Sequence, residues 1–168
     1  MEGASTVSIS KDLGVSQGLI HYHFKNKQEI VLSVINLLSI ILMERYAELS
    51  KRCHTYSDKL SVFISARLAK GNSDHDQAVA AWVIISAEAV RDPVIKERYG
   101  IAIREQLDLL DDLMSKMKQY EDSHERVYKI AALAFMEGSF SLSVRAAKVV
   151  PSGYGVMVAK DMLGITQK

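Results

Sequence analysis

The stretch "STVSISKDLGVSQGLIHYHFKNKQE", residues 5–29, decides how the rest of the chain is read. It holds a capping residue, a short run with apolar spacing, a glycine, a second cap and a second short run. Thr6 can cap a helix that carries Ile9 and Leu13 one turn apart, and Gly14 can end it in the left-handed conformation. Ser16 is placed to cap a second helix with Leu19, Ile20 and Phe24 inward. "KNK" at residues 25–27 breaks that helix, and Asn26 is the expected cap of a long one that follows.

Two short helices around a glycine-containing turn form the helix-turn-helix pattern. In such units the second helix lies in the major groove of DNA and its first residues reach base edges. Those residues here are Gln17, Gly18 and Leu19. Gln17 can pair with adenine through two hydrogen bonds, and Leu19 can touch a thymine methyl. Gly18 lets the backbone come close. His21, Tyr22, His23, Lys25 and Lys27 suit phosphate contacts, which set register without reading sequence. The plainer alternative is a helical hairpin with a tight turn. The His-Tyr-His triplet is not a metal site, because His21 and His23 stand about 200° apart around a helix.

Working outward, about half of the 168 residues are apolar, enough for a sizeable core. Lys plus Arg number 21 and Asp plus Glu 20, for a net charge of +1, so overall charge gives no sign of nucleic acid. Cys53 is the only cysteine, which fits a reducing compartment and a cytoplasmic protein. Residues 1–11 lack the basic and apolar regions of a secretory signal. The longest apolar run, "IVLSVINLLSIILM" at 30–43, includes Asn36 and falls short of the roughly 20 residues a membrane span needs. It is expected to be a largely buried helix, with no membrane partner.

Only two prolines and nine glycines occur, and apolar residues recur at three and four almost throughout. The fold class is therefore all-α. Beyond the opening pair, helices are expected at about 27–52, 57–70 (capped by Ser57 or Asp58), 74–91 (opened by Asp74 or Asp76), 93–120, 123–148 and 154–163, eight in all. "GNSD" at 71–74 reads as a loop. Asp92-Pro93 marks a helix start, since proline suits the first turn and disfavours helix before it. The 93–120 helix carries Ile95, Tyr99, Ile103, Leu107, Leu110, Met114 and Met117 on one stripe.

The segment "TVSISKDLGVSQGLIHYHFKNKQEIV", residues 6–31, resembles the DNA-binding signature of the TetR family of bacterial transcriptional regulators. The likeness rests on Thr6, "LGVS" (13–16), "QGLIHYHF" (17–24) and "NKQEI" (26–30). "AAWVIISAEAVRDPVIKERY" (80–99) and "FMEGSFSLSV" (135–144) are similar, more weakly, to the C-terminal domain of BetI-type members. The resemblance implies a helix-turn-helix module at about 1–45 and a ligand-binding and dimerisation domain at about 46–168. It implies a double-stranded DNA operator, a small-molecule effector, repression relieved by that effector, and a homodimer through the last two helices. DNA contacts carry over to Thr6, Ser16, Gln17, Gly18, Leu19, His21, Tyr22, His23 and Lys27.

One departure stands out. Family members begin with a further helix before the Thr-initiated one, and here only "MEGAS" precedes Thr6. The module therefore reads as truncated. Val7, Ile9, Leu13, Ile20 and Phe24 would pack on that helix. Its loss would uncover on the order of several hundred Å², costing several kcal/mol at about 25 cal/mol per Å².

In the C-terminal part, Phe63, Trp82, Ile85, Tyr99, Ile103, Met114, Met136 and Phe140 are the expected lining of a ligand pocket, with Met117 beside them. Glu88, Arg67 and Glu137 are the charges that can face it. The dimer face is expected from Tyr128, Ala131, Ala132, Phe135, Ser139, Leu142, Ser143 and Ala146, completed by Tyr154, Met157, Val158, Asp161 and Met162. No phosphate loop, HExxH pair or nucleophile elbow occurs, so no catalytic residue, cofactor or enzyme is expected. The competing function is a small-molecule-binding dimer without DNA binding. It draws on the missing helix and on Lys11, Lys25 and Lys27 being matched by Glu2, Asp12 and Glu29.

Overall fold

The computed structural model describes residues 7, 10, 11, 14, 16–68, 73–117, 125–146, 149, 151 and 153–165. Among them are seven helices and no strand: α1 (Gln17–His23), α2 (Lys27–Ser50), α3 (Tyr56–Leu68), α4 (Ser73–Glu88), α5 (Pro93–Met114), α6 (Glu125–Arg145) and α7 (Tyr154–Met162). Val7, Ser10 and Lys11 are helical too, which fits the expected first short helix. Its cap, Thr6, and its apolar pair, Ile9 and Leu13, lie outside the described residues. The same holds for Ser123, the expected cap of α6.

The caps explain most starts. Ser16 accepts from Leu19 N at 3.1 Å and opens α1. Gly14 adopts φ 66°, a value that favours glycine, so the turn before α1 needs this residue. Asn26 accepts from Glu29 N at 2.9 Å, and Glu29 reaches back to accept from Lys25 N at 2.8 Å. That reciprocal pair fixes the start of α2. Asp92 accepts from Val94 N and Ile95 N, with Pro93 in the first turn of α5.

Three boundaries differ from expectation. α3 is opened by Thr55, whose hydroxyl accepts from Asp58 N at 3.0 Å while Asp58 accepts from Thr55 N at 3.1 Å. Neither Ser57 nor Asp58 is the cap, because the pair works only with the hydroxyl three residues upstream. α4 begins at Ser73, so the end of the "GNSD" loop is already helical. α5 stops at Met114 rather than near 120. Asp111 and Asp112 crowd its C-terminal end, where the helix dipole disfavours acids.

Two apolar clusters hold the helices together. One joins Leu60, Phe63 and Ile64 of α3, Leu110, Leu113 and Met114 of α5, Ala132, Leu133 and Met136 of α6, and Ala159 of α7. The other joins Ile35 of α2, Trp82, Val83 and Ile85 of α4, Ile95 and Ala102 of α5, and Phe140 of α6. The stripe read on α5 faces inward, from Ile95 to Met114. None of the principal helix–helix packings involves α1.

α2 departs from its expectation. By length and composition it is apolar enough to cross a membrane. It packs on α3, α4 and α5. Yet only Ile35 and Ser39 are fully buried, and Leu37, Ile40, Ile41 and Met43 stay exposed. A helix that lies on the side of the bundle gives it one face, whatever the polarity of the other. The expected boundary near residue 45 falls within this helix.

Candidate functional site

Two places concentrate the residues singled out in the sequence. The first is α1. Ser16, Gln17, Gly18, Leu19, His21, Tyr22, His23 and Lys27 are all exposed, and Ile20 is the one buried residue of the helix. Leu19 is 47% exposed and so does not point inward as its apolar character suggested. Of the residues expected to face a missing helix, Ile20 is buried, Phe24 half-buried and Val7 exposed. Gln17 Nε2 lies 3.4 Å from His21 Nε2, one turn away. The Tyr22 and His23 rings meet edge to face, with Tyr22 82% exposed. A Cβ on Gly18 would meet only Ser16 Oγ, at 3.9 Å. No internal packing therefore demands a glycine there.

The second place is a half-open cavity among α2, α3, α4, α5 and α6, with about 460 Å³ of empty space when its open mouth is included. Leu38, Ile41, Leu42 and Arg45 line it from α2, Ala78, Val79 and Trp82 from α4, and Glu137 and Phe140 from α6. Arg67 of α3 and Gln106 of α5 complete the wall. Arg67 sits on the inward ridge Leu60, Phe63, Ile64, Arg67, and Gln106 on the ridge Ala102, Gln106, Leu110. Helical spacing alone therefore turns both polar groups toward the interior.

The polar end of the cavity is ordered around Glu137. Both of its oxygens accept from Trp82 Nε1, at 3.0 and 3.1 Å, and Oε2 also accepts from Tyr99 Oη at 2.7 Å. The Trp82 and Tyr99 rings lie against each other with centroids 4.9 Å apart. Burial, and then the Glu137 charge, push the Tyr99 phenol well above its ordinary range. Tyr99 therefore stays a neutral donor. Arg67 is 2% exposed and its guanidinium lies 4.5 Å from the centroid of the Phe63 ring. Burial lowers its pKa to about 9, opposed by the Glu137 charge, so it remains cationic at neutral pH. Arg67 Nε and Gln106 Oε1 are buried without a hydrogen-bond partner.

Of the eight residues expected to line a pocket, Trp82 and Phe140 do so. Tyr99 reaches the cavity through Glu137, and Phe63 backs Arg67. Ile85 lies in the second core cluster, Met114 and Met136 are fully buried in the first, and Ile103 packs against both. Met117 packs at the edge of the first cluster. Arg67 and Glu137, named for their charge, are in the wall, while Glu88 ends α4 outside it. The α2 contribution and Gln106 were missed. For Gln106 the signal was its place on an otherwise apolar ridge.

On α6 and α7, Tyr128, Leu142, Tyr154, Met157 and Met162 are exposed. Ala131, Phe135, Ser139, Ala146 and Val158 are half-buried, and Ser143 and Asp161 are exposed. Ala132 is fully buried and belongs to the core. Among the described residues no three His, Cys, Asp or Glu side chains gather as metal ligands would.

A last contact joins the two places. Gln28, in the first turn of α2, donates to both oxygens of Asp92, at 3.0 and 2.8 Å. The Gln28 hydrogen bonds and the Ile95 and Val94 amides hold the Asp92 carboxyl below its ordinary range. One side chain thus caps α5 and ties the start of α2 to it.

Comparison with known proteins agrees with this layout. Residues 1–34 match the family of bacterial regulatory proteins of the tetR type. A fatty acid metabolism regulator protein of Bacillus subtilis is 25% identical over 108 residues, which are 64% of this chain. The chain spans about half the length, 54%, of that curated relative. A Rhodococcus sp. crystal structure assigned to the TetR-family regulators superposes with a TM-score of 0.84 at 15% identity, over 98% of this chain and 88% of its own. A transcriptional regulator structure from Saccharomonospora viridis, in complex with choline, gives 0.80 at 16% identity over 95% and 84%. The likeness read from the opening stretch therefore holds. Its first 34 residues match the tetR family, its helical fold is that of solved TetR-family structures, and the relatives it matches are regulators.

Proposed function

We propose that this TetR-type chain is a dimeric transcriptional regulator that reads double-stranded DNA with α1 and is controlled by a small molecule in the five-helix cavity. The observation that carries the reading is the exposure of every polar residue of α1 on a helix held in place by the Gly14 turn and the Ser16 cap. Gln17 and Leu19 take the base-reading roles, and Gly18 allows close approach. Ser16, His21, Tyr22, His23 and Lys27 contact phosphate, together with Thr6, which lies outside the described residues.

Control follows from α2. Four residues at its middle line the cavity, and its start is tied to α5 through Gln28 and Asp92. A ligand wedged against Leu38, Ile41 and Leu42 tilts this helix and shifts α1 with it. In a homodimer built on the exposed apolar residues of α6 and α7, that shift changes the spacing of two recognition helices. DNA half-sites lie one helical turn apart or a multiple of it, so a changed spacing lowers affinity. Repression relieved by the ligand is the expected direction. Such a protein works in the bacterial cytoplasm, without a membrane partner and without a cofactor. The division is a head at about 1–45 and a sensor at about 46–168, sharing α2.

The test is fluorescence anisotropy of labelled duplexes from the region upstream of the gene, at two salt concentrations. Tight binding that weakens steeply with salt supports the reading. Sedimentation at several concentrations must show a dimer. If no duplex binds at low salt but a dimer is present, the second reading stands: a ligand-binding dimer without DNA function. The near balance of charge in the first 29 residues favours that alternative.

A further inference from the structure

The cavity contains an unanswered pair of polar atoms beside an answered one. Glu137 is the only acid among the described lining residues, and its two oxygens already accept from Trp82 and Tyr99. Among the described residues Arg67 Nε donates to nothing and Gln106 Oε1 accepts from nothing, although the two residues are 2% and 4% exposed. Leaving such groups unmet in the interior costs stability, so a built site has something that meets them. The charge count points the same way. Two arginines, Arg45 and Arg67, stand against one glutamate, so the described lining carries one excess positive charge. The rest of the wall is apolar.

We infer that the cavity takes an amphipathic carboxylate, with its head on Arg67 and Gln106 and its hydrocarbon tail along Leu38, Ile41, Leu42 and Phe140. A carboxylate is planar and accepts a fork of N–H donors, which is the geometry a guanidinium presents. The amide of Gln106 turns over to donate its Nε2–H to the second oxygen, since either face of an amide fits the same space. Arg67 is fixed by its stack on Phe63, so little side-chain freedom is lost on binding. Glu137 does not repel the head strongly, because Trp82 and Tyr99 donate to its oxygens and the Arg67 charge offsets it. A quaternary ammonium would find aromatic rings here, but these two rings face each other and turn their donors to Glu137. It would also meet Arg67. The inference rests on the reading of the cavity as the ligand site and specifies its chemistry.

Trp82 is the only tryptophan and lines the cavity, so its emission reports occupancy. The full chain is titrated with octanoate, octanol and octyltrimethylammonium, all below micellar concentration, by tryptophan emission and by calorimetry. Octanoate is expected to bind at least about tenfold more tightly than either of the others, as a charge-assisted pair at a buried guanidinium provides. Arg67→Met should remove that preference while octanol binding persists. Arg67→Lys should keep part of it, and Gln106→Leu guards against a failure of the first variant to fold. Equal or tighter binding of octyltrimethylammonium, or no response to any of the three, overturns the proposal. Arg67-dependent octanoate binding that leaves DNA anisotropy unchanged supports it, and counts instead against ligand control of DNA binding.

Discussion

α1 and α3 are both short helices opened by a hydroxyl cap, and they are held in opposite ways. α3 buries Leu60, Phe63, Ile64, Ala66 and Arg67, whereas α1 buries Ile20 alone. One is fixed by packing and the other by its caps and turn. Residues of α1 contribute little to the stability of the fold, so their chemistry is free to serve a contact outside the chain. Residues of α3 are tied to the interior, and the one charge among them has to be explained by what the interior holds.

The sharpest way to break this comparison is to truncate one apolar residue in each helix. Ile64→Ala should cost about 2–5 kcal/mol in urea unfolding, through lost burial and the cavity left behind. Leu19→Ala should stay within about 0.5 kcal/mol while weakening DNA binding. Equal costs would erase the distinction between the two helices.

Next in size is Glu137→Ala, which leaves the indole N–H and the Tyr99 hydroxyl without their acceptor. A loss of about 1–3 kcal/mol in thermal unfolding is expected, with a shift in tryptophan emission that Leu19→Ala does not produce. An unchanged emission spectrum would show that Trp82 does not depend on Glu137.

Ser16→Ala removes the cap of α1 and should weaken that helix by about 1 kcal/mol. Because α1 lies outside the principal packings, amide exchange at residues 17–24 should quicken while the global unfolding midpoint scarcely moves. A matching fall in global stability would mean that α1 is integral to the core.

The smallest effect concerns Asp92. Its folded carboxyl titrates below the ordinary value of 3.8. Such a group stabilises the fold above the unfolded pKa, and that contribution is lost as pH falls through the folded one. Asp92→Asn should therefore destabilise modestly at neutral pH, with the difference from the parent closing as the pH drops below about 4. A gap that persists at pH 2, measured by urea titration, would place the effect in packing.

What was legible in the sequence was local. Gly14, Ser16, Asn26 and Asp92-Pro93 were read correctly because a cap or a left-handed turn depends on a few neighbouring residues. The inward stripe of α5 was legible for the same reason. The centre of the cavity was not, since Trp82 and Tyr99 meet Glu137 across 55 and 38 residues of chain. Nor does periodicity separate a core wall from a cavity wall. Met114 and Met136 have the spacing of lining residues and sit in the closed core. Polar residues on apolar ridges were the better guide: Arg67 and Gln106 both mark the cavity.

Asp92 has a consequence for recombination. Because the same carboxylate starts α5 and holds Gln28, the proposed head and sensor do not separate cleanly as interchangeable parts. A chimera that grafts a foreign reading head onto this sensor, with a join between residues 28 and 92, inherits the cap but loses the clasp unless position 28 travels as glutamine. Heads chosen by that residue should yield responsive hybrids, and the others should yield hybrids that fold, bind their DNA and ignore the ligand.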